Sequence, residues 1–167
     1  LKIKPFKEDQ YRYLVFNEKT QTARRLDSIA DACVFLPEDH GLIFSNGYYL
    51  QTGVYKTFES NVSNLQFERR IASSNGEDYL YVFNNLATGQ KVLLSYNMLE
   101  QEVATPIVCS GFSIFDNGQL IYFKSDADPQ KHHAMQVWQT PYVSEDFQVG
   151  EQTDAYGYKI GNKDIVR

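Results

Sequence analysis

Short runs of strand length, each rich in aromatic or β-branched residues, recur along the whole chain with turn-forming pairs between them. YRYLVFN, ACVFL, GLIFS, YYLQ, YLYVFN, KVLLSY, FSIF, QLIYF and MQVW are such runs. Side chains of this kind suit the half-buried pleated surface of a sheet. The separators Asn46-Gly47, Thr88-Gly89 and Asn117-Gly118 are pairs that close hairpins, because glycine takes a positive φ without a Cβ clash. The sequence therefore predicts an all-β fold. Its aromatic content, 14% from 12 Tyr, 11 Phe and 1 Trp, points the same way.

The runs also recur in order, which constrains the architecture further. Val15-Phe16-Asn17 matches Val82-Phe83-Asn84 at a separation of 67 residues, and Leu42-Ile43-Phe44 matches Leu120-Ile121-Tyr122 at 78. Gln51-Thr52 matches Gln139-Thr140 at 88. The offset grows only between matched runs, as loop insertions near MLEQEVATPIV and SDADPQKHH would make it. A series of strand, tight turn, strand, turn and aromatic strand resembles the blades of kelch and WD-repeat β-propellers. The expectation is a set of repeated four-stranded antiparallel units forming an incomplete β-propeller, with blade-like units near 11–60, 61–108 and 109–150. A β-sandwich is the alternative. Residues 28–32 read as a turn rather than a helix, since Val34 and Phe35 run into Pro37.

The net charge of −5 and the pI of about 5.2 oppose long-range attraction to a phosphate backbone. Arg24-Arg25, Arg69-Arg70 and the early Lys2, Lys4 and Lys7 read as solvated strand faces. Cys33 and Cys109 sit in apolar settings, which suits buried thiols and a reducing cytoplasmic location. No run approaches the roughly 20 apolar residues of a membrane span. The opening Leu1 and the polar tail DAYGYKIGNKDIVR lead to the expectation of a piece cut from a longer chain.

Several clusters invite a chemical reading. Pro37-Glu38-Asp39-His40-Gly41 sets two carboxylates beside a histidine, but it stands where Phe115-Asp116-Asn117-Gly118 stands in the later unit. It is therefore expected to be a hairpin turn, with Pro37 presetting φ and Gly41 supplying a positive φ. His132-His133 could suggest a metal, yet adjacent strand residues face opposite ways, so the pair is read as the end of the SDADPQKHH loop. Asp126 and Asp128 lack the glycine and glutamate of a calcium loop. GYKIGNK at 157–163 and TGQK at 88–91 lack the G-K-[ST] ending of a phosphate loop. No catalytic, cofactor-binding or metal-ligating residue is assigned. Tyr48, Tyr49, Tyr55 and Trp138, with Arg24 and Arg25, are the candidate interaction surface; Pro37, Gly41, Asn46, Gly47, Asn117 and Gly118 are the structural turn residues.

The phrases NEKTQTARRLDSI, LPEDHG and NGYYLQTG, all within residues 10–60, resemble a segment of the large bacterial DNA repair ATPases. That resemblance implies a non-catalytic β domain of a multidomain AAA-type ATPase acting in the cytoplasm. ATP and magnesium would be handled by a Walker-type site elsewhere in the full-length protein. The partners implied are the remainder of the same polypeptide and other proteins, with nucleic acid touched only indirectly and no membrane. Two other classes remain open: a stand-alone peptide- or carbohydrate-binding module, marked by an exposed aromatic groove, and a small hydrolase using Glu38, Asp39 and His40.

Overall fold

The computed structural model describes residues 2–5, 12–27, 33–59, 62, 64–124, 132–138 and 147–149. Among them are sixteen strands and no α-helix. The strands form several small sheets and no closed barrel, an all-β fold. Two compact units are present, Leu1–Arg69 with Phe83–Val92, and Arg70–Val82 with Leu93–Arg167.

In the first unit, β1 (Lys2–Pro5), β2 (Arg12–Asn17) and β3 (Thr22–Asp27) make a three-stranded antiparallel sheet in chain order. The strands β4 (Val34–Phe35), β5 (Gly41–Phe44), β6 (Gly47–Leu50) and β7 (Tyr55–Thr57) make a four-stranded antiparallel meander. Val15 of the first sheet packs with Leu42, Phe44 and Tyr49 of the second, and Cys33 and Tyr55 close over the cluster. Removing these side chains from water on facing sheets is what joins the two sheets, at about 25 cal/mol per Å² of apolar surface.

A third sheet runs β11 (Glu102–Val103), β10 (Lys91–Asn97), β9 (Asp78–Asn85) and β8 (Leu65–Ala72), with β12 (Ile107–Cys109) also paired to β10. In the second unit, β13 (Gly111–Ile114), β14 (Gln119–Phe123), β15 (His132–Gln136) and β16 (Phe147–Val149) form another four-stranded antiparallel meander. Leu80, Val82, Leu93 and Cys109 pack there with Leu120, Tyr122, Val137 and Trp138. Each unit is thus built by sheet-on-sheet packing.

Several sequence expectations change on contact with these sheets. The strands β2 to β7, expected in one unit near 11–60, fall in two sheets, because β2 and β3 pair with β1 while β4 to β7 pair among themselves. Leu42-Ile43-Phe44 and Leu120-Ile121-Tyr122 each lie buried on the second strand of a four-stranded sheet. The match of Phe16 with Phe83 is wrong by one residue. Phe83 is fully buried, as Val15 is, whereas Phe16 is only half-buried. The turn contacts align Asn17 with Asn85, which sets Val15 against Phe83 and Phe16 against Asn84. A slip of one residue exchanges the two faces of a strand, so a match on letters alone put Phe16 on the wrong face. The Gln139-Thr140 match and the turn at 28–32 lie outside the described residues.

Two of the four turn glycines also act differently from expectation. The pairing of Phe44 with Gly47 makes Ser45-Asn46 the loop, so Gly47 begins β6. A Cβ on Gly47 would meet the Lys56 carbonyl at 2.2 Å. Gly41 likewise needs no positive φ: its Cβ would stand 2.7 Å from the Tyr49 carbonyl and 2.8 Å from Leu36 Cδ1. The left-handed residues of that turn are Glu38 and Asp39, with φ of 52° and 57°. Gly89 and Gly118, with φ of 72° and 82°, play the expected part. His132 and His133 open β15 rather than end a loop, His133 lying opposite Tyr122.

Candidate functional site

A polar arrangement in the first unit grows from the end of β2. Asn17 is buried, and its Oδ1 accepts the backbone N–H of Lys19 at 3.1 Å and of Thr20 at 3.3 Å, holding the turn into β3. Its Nδ2 donates to the Tyr49 hydroxyl at 3.1 Å and to the Gln51 carbonyl at 2.8 Å, so the same side chain ties this turn to β6. The Thr20 and Thr22 hydroxyls share a hydrogen bond of 2.7 Å. Burial pushes the Tyr49 phenol up, but hydrogen bonds with Thr22, Asn17 and Thr20 and the nearby Arg24 charge outweigh it and hold the group below its ordinary value.

Arg24 completes this arrangement. It lies opposite Val15, and directly opposed strand residues share a face, so its side chain leaves β3 on the core side, as does that of Thr22 two residues before. Tyr49 and Tyr55 are themselves opposed on β6 and β7. The guanidinium carbon of Arg24 lies 4.2 Å from the Tyr55 ring centre and 5.9 Å from that of Tyr49. Beneath it Tyr55 stacks on Phe44, with ring centres 5.6 Å apart and planes 18° from parallel. The result is an exposed cation seated over aromatic rings with, among the described residues, no carboxylate partner, an arrangement suited to a planar oxyanion.

Of the residues expected to form an interaction surface, Tyr49, Tyr55 and Arg24 come together, and Arg25 is exposed on the other face of β3. Tyr48 and Tyr49 are only 6% and 3% exposed, and Tyr48 packs on Phe58. Trp138, 9% exposed, belongs to the second unit, where it lies against Gly118. These three side chains are packing residues, not an open aromatic groove.

Pro37-Glu38-Asp39 forms a single 3-10 turn linking β4 to β5, closed by Leu36 N–H to the Gly41 carbonyl at 2.9 Å and His40 N–H to the Pro37 carbonyl at 3.0 Å. His40 Nε2 stands 3.7 Å from Glu38 Oε2, beyond hydrogen-bond reach, and the Glu38 side chain is 72% exposed. This separation does not orient a general base. A shallow depression is lined by Ser95, Asn97, Glu100, Glu102 and Ala104, none of them from this turn.

A nucleotide would need a backbone cradle and an available lysine, with carboxylates for magnesium. In Thr88-Gly89-Gln90-Lys91 the ammonium of Lys91 is already engaged, by Asn84 Oδ1 at 2.7 Å and by the Glu68 carboxylate. The hydrogen bond from Lys91 holds Glu68 below the usual carboxylate range. Among the described residues no group of three or more His, Cys, Asp or Glu side chains could hold a metal ion. These residues do not fit ATP with magnesium. His132 and His133 are taken up by ring contacts with Phe123 and Tyr122 at 4.3 and 5.4 Å. GYKIGNK lies outside the described residues.

Sequence reasoning missed the strand-end asparagines. Asn85 Oδ1 accepts from Ala87 and Thr88, and Asn97 Oδ1 accepts from Glu100, as Asn17 does in its own turn. Asn97 also donates to the buried Asp78, at 2.8 Å. Burial raises the Asp78 carboxyl above its ordinary range, Glu77 and Glu100 add to the effect, and the Asn97 bond opposes it. The signal was present in N-E-K-T-Q, N-L-A-T-G and N-M-L-E-Q, each following a strand-length run.

A family model described as "ATPase involved in DNA repair" matches residues 1–167. No curated protein matches the chain.

Proposed function

The chain belongs to the family described as ATPase involved in DNA repair, and on that premise we propose that it is a non-catalytic scaffold and interaction part of a larger cytoplasmic ATPase. The observation that carries this reading is how the polar side chains are used. Asn17, Asn85 and Asn97 hold turns, Lys91 is engaged by Glu68 and Asn84, and Asp78 is tied to Asn97. Groups employed in this way stabilise hairpins; none is directed at a reacting centre. The successive antiparallel sheets support reading them as blades of an incomplete propeller, an architecture that presents surfaces to partners.

ATP and magnesium are then handled by another part of the full-length protein, through a Walker-type site. Contact with DNA is indirect, and the partners are the remainder of the polypeptide and other proteins. Titration calorimetry of ATP with magnesium into residues 1–167 tests the assignment. The expected result is no saturable heat at millimolar ATP and no phosphate release. Saturable binding that disappears in a Lys163→Ala or Lys91→Ala variant would overturn it.

A further inference from the structure

Resting on that interaction reading, we propose that the outer edge of β3 receives an extended acidic segment of a partner protein, which adds as a fourth strand and sets a carboxylate on Arg24. Among the described residues β3 ends its sheet, whereas β4 to β7 and β13 to β16 form sheets of four. An open edge presents backbone N–H and C=O groups that an extended chain can pair with. The cross-strand residue opposite Arg24 would have its Cβ about 4.5–5.5 Å away, within reach of a guanidinium.

Charge selects the incoming strand. Residues 22–25 are exposed and read Thr22-Ala23-Arg24-Arg25, a cationic strip in a chain whose net charge is −5. Arg24 meets two tyrosine rings and, among the described residues, no carboxylate. Its rotamer is already restrained by Tyr55, so little further ordering is needed when its N–H edge closes on a carboxylate in the two-point manner that arginine favours. The same cation repels basic strands and discourages indiscriminate edge pairing, which makes it a selector as well as a contact.

A nucleic acid fits this edge less well. The overall negative charge opposes a phosphate backbone, and the Tyr55 face that could stack a base is covered by Arg24 itself.

Fluorescence anisotropy on the 167-residue chain tests the proposal, with three probes: a labelled alternating glutamate–valine hexapeptide, its lysine–valine counterpart and a single-stranded thymidine oligonucleotide. The expected result is saturable binding of the glutamate–valine peptide only, weakened at least about tenfold in Arg24→Gln and less in Arg24→Lys. Amide hydrogen exchange in the unaltered chain should slow at β3 on addition of that peptide, a readout that does not depend on a variant folding. Absence of binding, equal binding to Arg24→Gln with an unchanged circular dichroism spectrum, equal binding of the lysine–valine peptide, or no slowing at β3 would overturn it. Oligonucleotide binding lost in Arg24→Gln would also overturn it, in favour of a phosphate partner. Binding of ATP would defeat the scaffold reading without touching these outcomes, and loss of peptide binding alone would leave that reading in place.

Discussion

Three hairpin loops of this chain share one backbone device, and it can be tested by exchanging a single residue type. The loops 18–21, 86–89 and 98–101 each follow a buried asparagine whose Oδ1 caps the turn. Each ends on a left-handed residue: Gln21 at φ 55°, Gly89 at φ 72° and Gln101 at φ 52°. An L-residue in that region costs roughly 1–2 kcal/mol relative to the right-handed region, and glycine avoids this. Glycine in turn costs about 0.4–1 kcal/mol through the greater freedom of its unfolded chain. Gln101→Gly should therefore stabilise the protein by roughly 0.5–1 kcal/mol, and Gly89→Gln should destabilise it by a similar amount. Gln21→Gly should gain less, because the Gln21 side chain donates to the Glu18 carbonyl and that bond is lost. Urea unfolding followed by tryptophan fluorescence and circular dichroism measures this, read as a change in midpoint at constant slope. A loss of stability in Gln101→Gly of more than about 0.5 kcal/mol would refute the shared-loop argument, since it would mean that the side chain and not the backbone sets the energy of that position.

The register correction makes Phe83→Ala cost about 3–5 kcal/mol while half-buried Phe16→Ala costs clearly less; equal losses in urea unfolding would restore the register that pairs the two. Gly41→Ala should destabilise by about 1–3 kcal/mol, because its Cβ would press on the Tyr49 carbonyl at 2.7 Å; a neutral result in thermal unfolding would show that β6 gives way easily. The carboxyl of Asp78 is raised by burial, so ionising it disfavours the folded state, and its stabilising influence is present at low pH and lost as pH rises through the raised folded pKa. Asp78→Asn keeps an acceptor for Asn97 and removes that charge. Its stability relative to the parent should be higher at pH 7 and converge towards it below the ordinary aspartate range, and a difference independent of pH would contradict the assignment.

What the sequence made legible was whatever depends on a residue's own preferences. Aromatic and β-branched runs between turn pairs are local signals, and they led directly to strands. The Asp116-Asn117-Gly118 turn was readable because its glycine takes a positive φ, a property of that one residue. Gly41 and Gly47 were misread because their requirement is not local. They make room for the Tyr49 and Lys56 carbonyls on adjacent strands, and nothing in the neighbouring letters tells a glycine needed for space from one needed for rotation. The register error at Phe16 has the same origin. Two adjacent asparagines, Asn84 and Asn85, offered two alignments, and only the turn hydrogen bonds decide which one caps the strand.

The Arg24 arrangement shows the same division in the site. Composition marked Arg24 and Tyr55 singly, at positions 31 residues apart, but a cation becomes a recognition element only when something fixes its orientation. Here that follows from two registers acting together. The pairing of Arg24 with Val15 sends the guanidinium to the core side of an edge strand, and the pairing of Tyr49 with Tyr55 sets two rings side by side beneath it. Shift either register by one residue and the arginine returns to solvent or the ring turns away. The same residues in the same order would then be a solvated strand face, as the sequence alone read them. Any interaction made at this edge is thus a property of hairpin geometry, and Asn17, which fixes the end of the β2–β3 hairpin, is a positioning residue for it. Loosening the β2–β3 turn at Asn17 should therefore weaken contacts made through Arg24 even though Asn17 touches no partner.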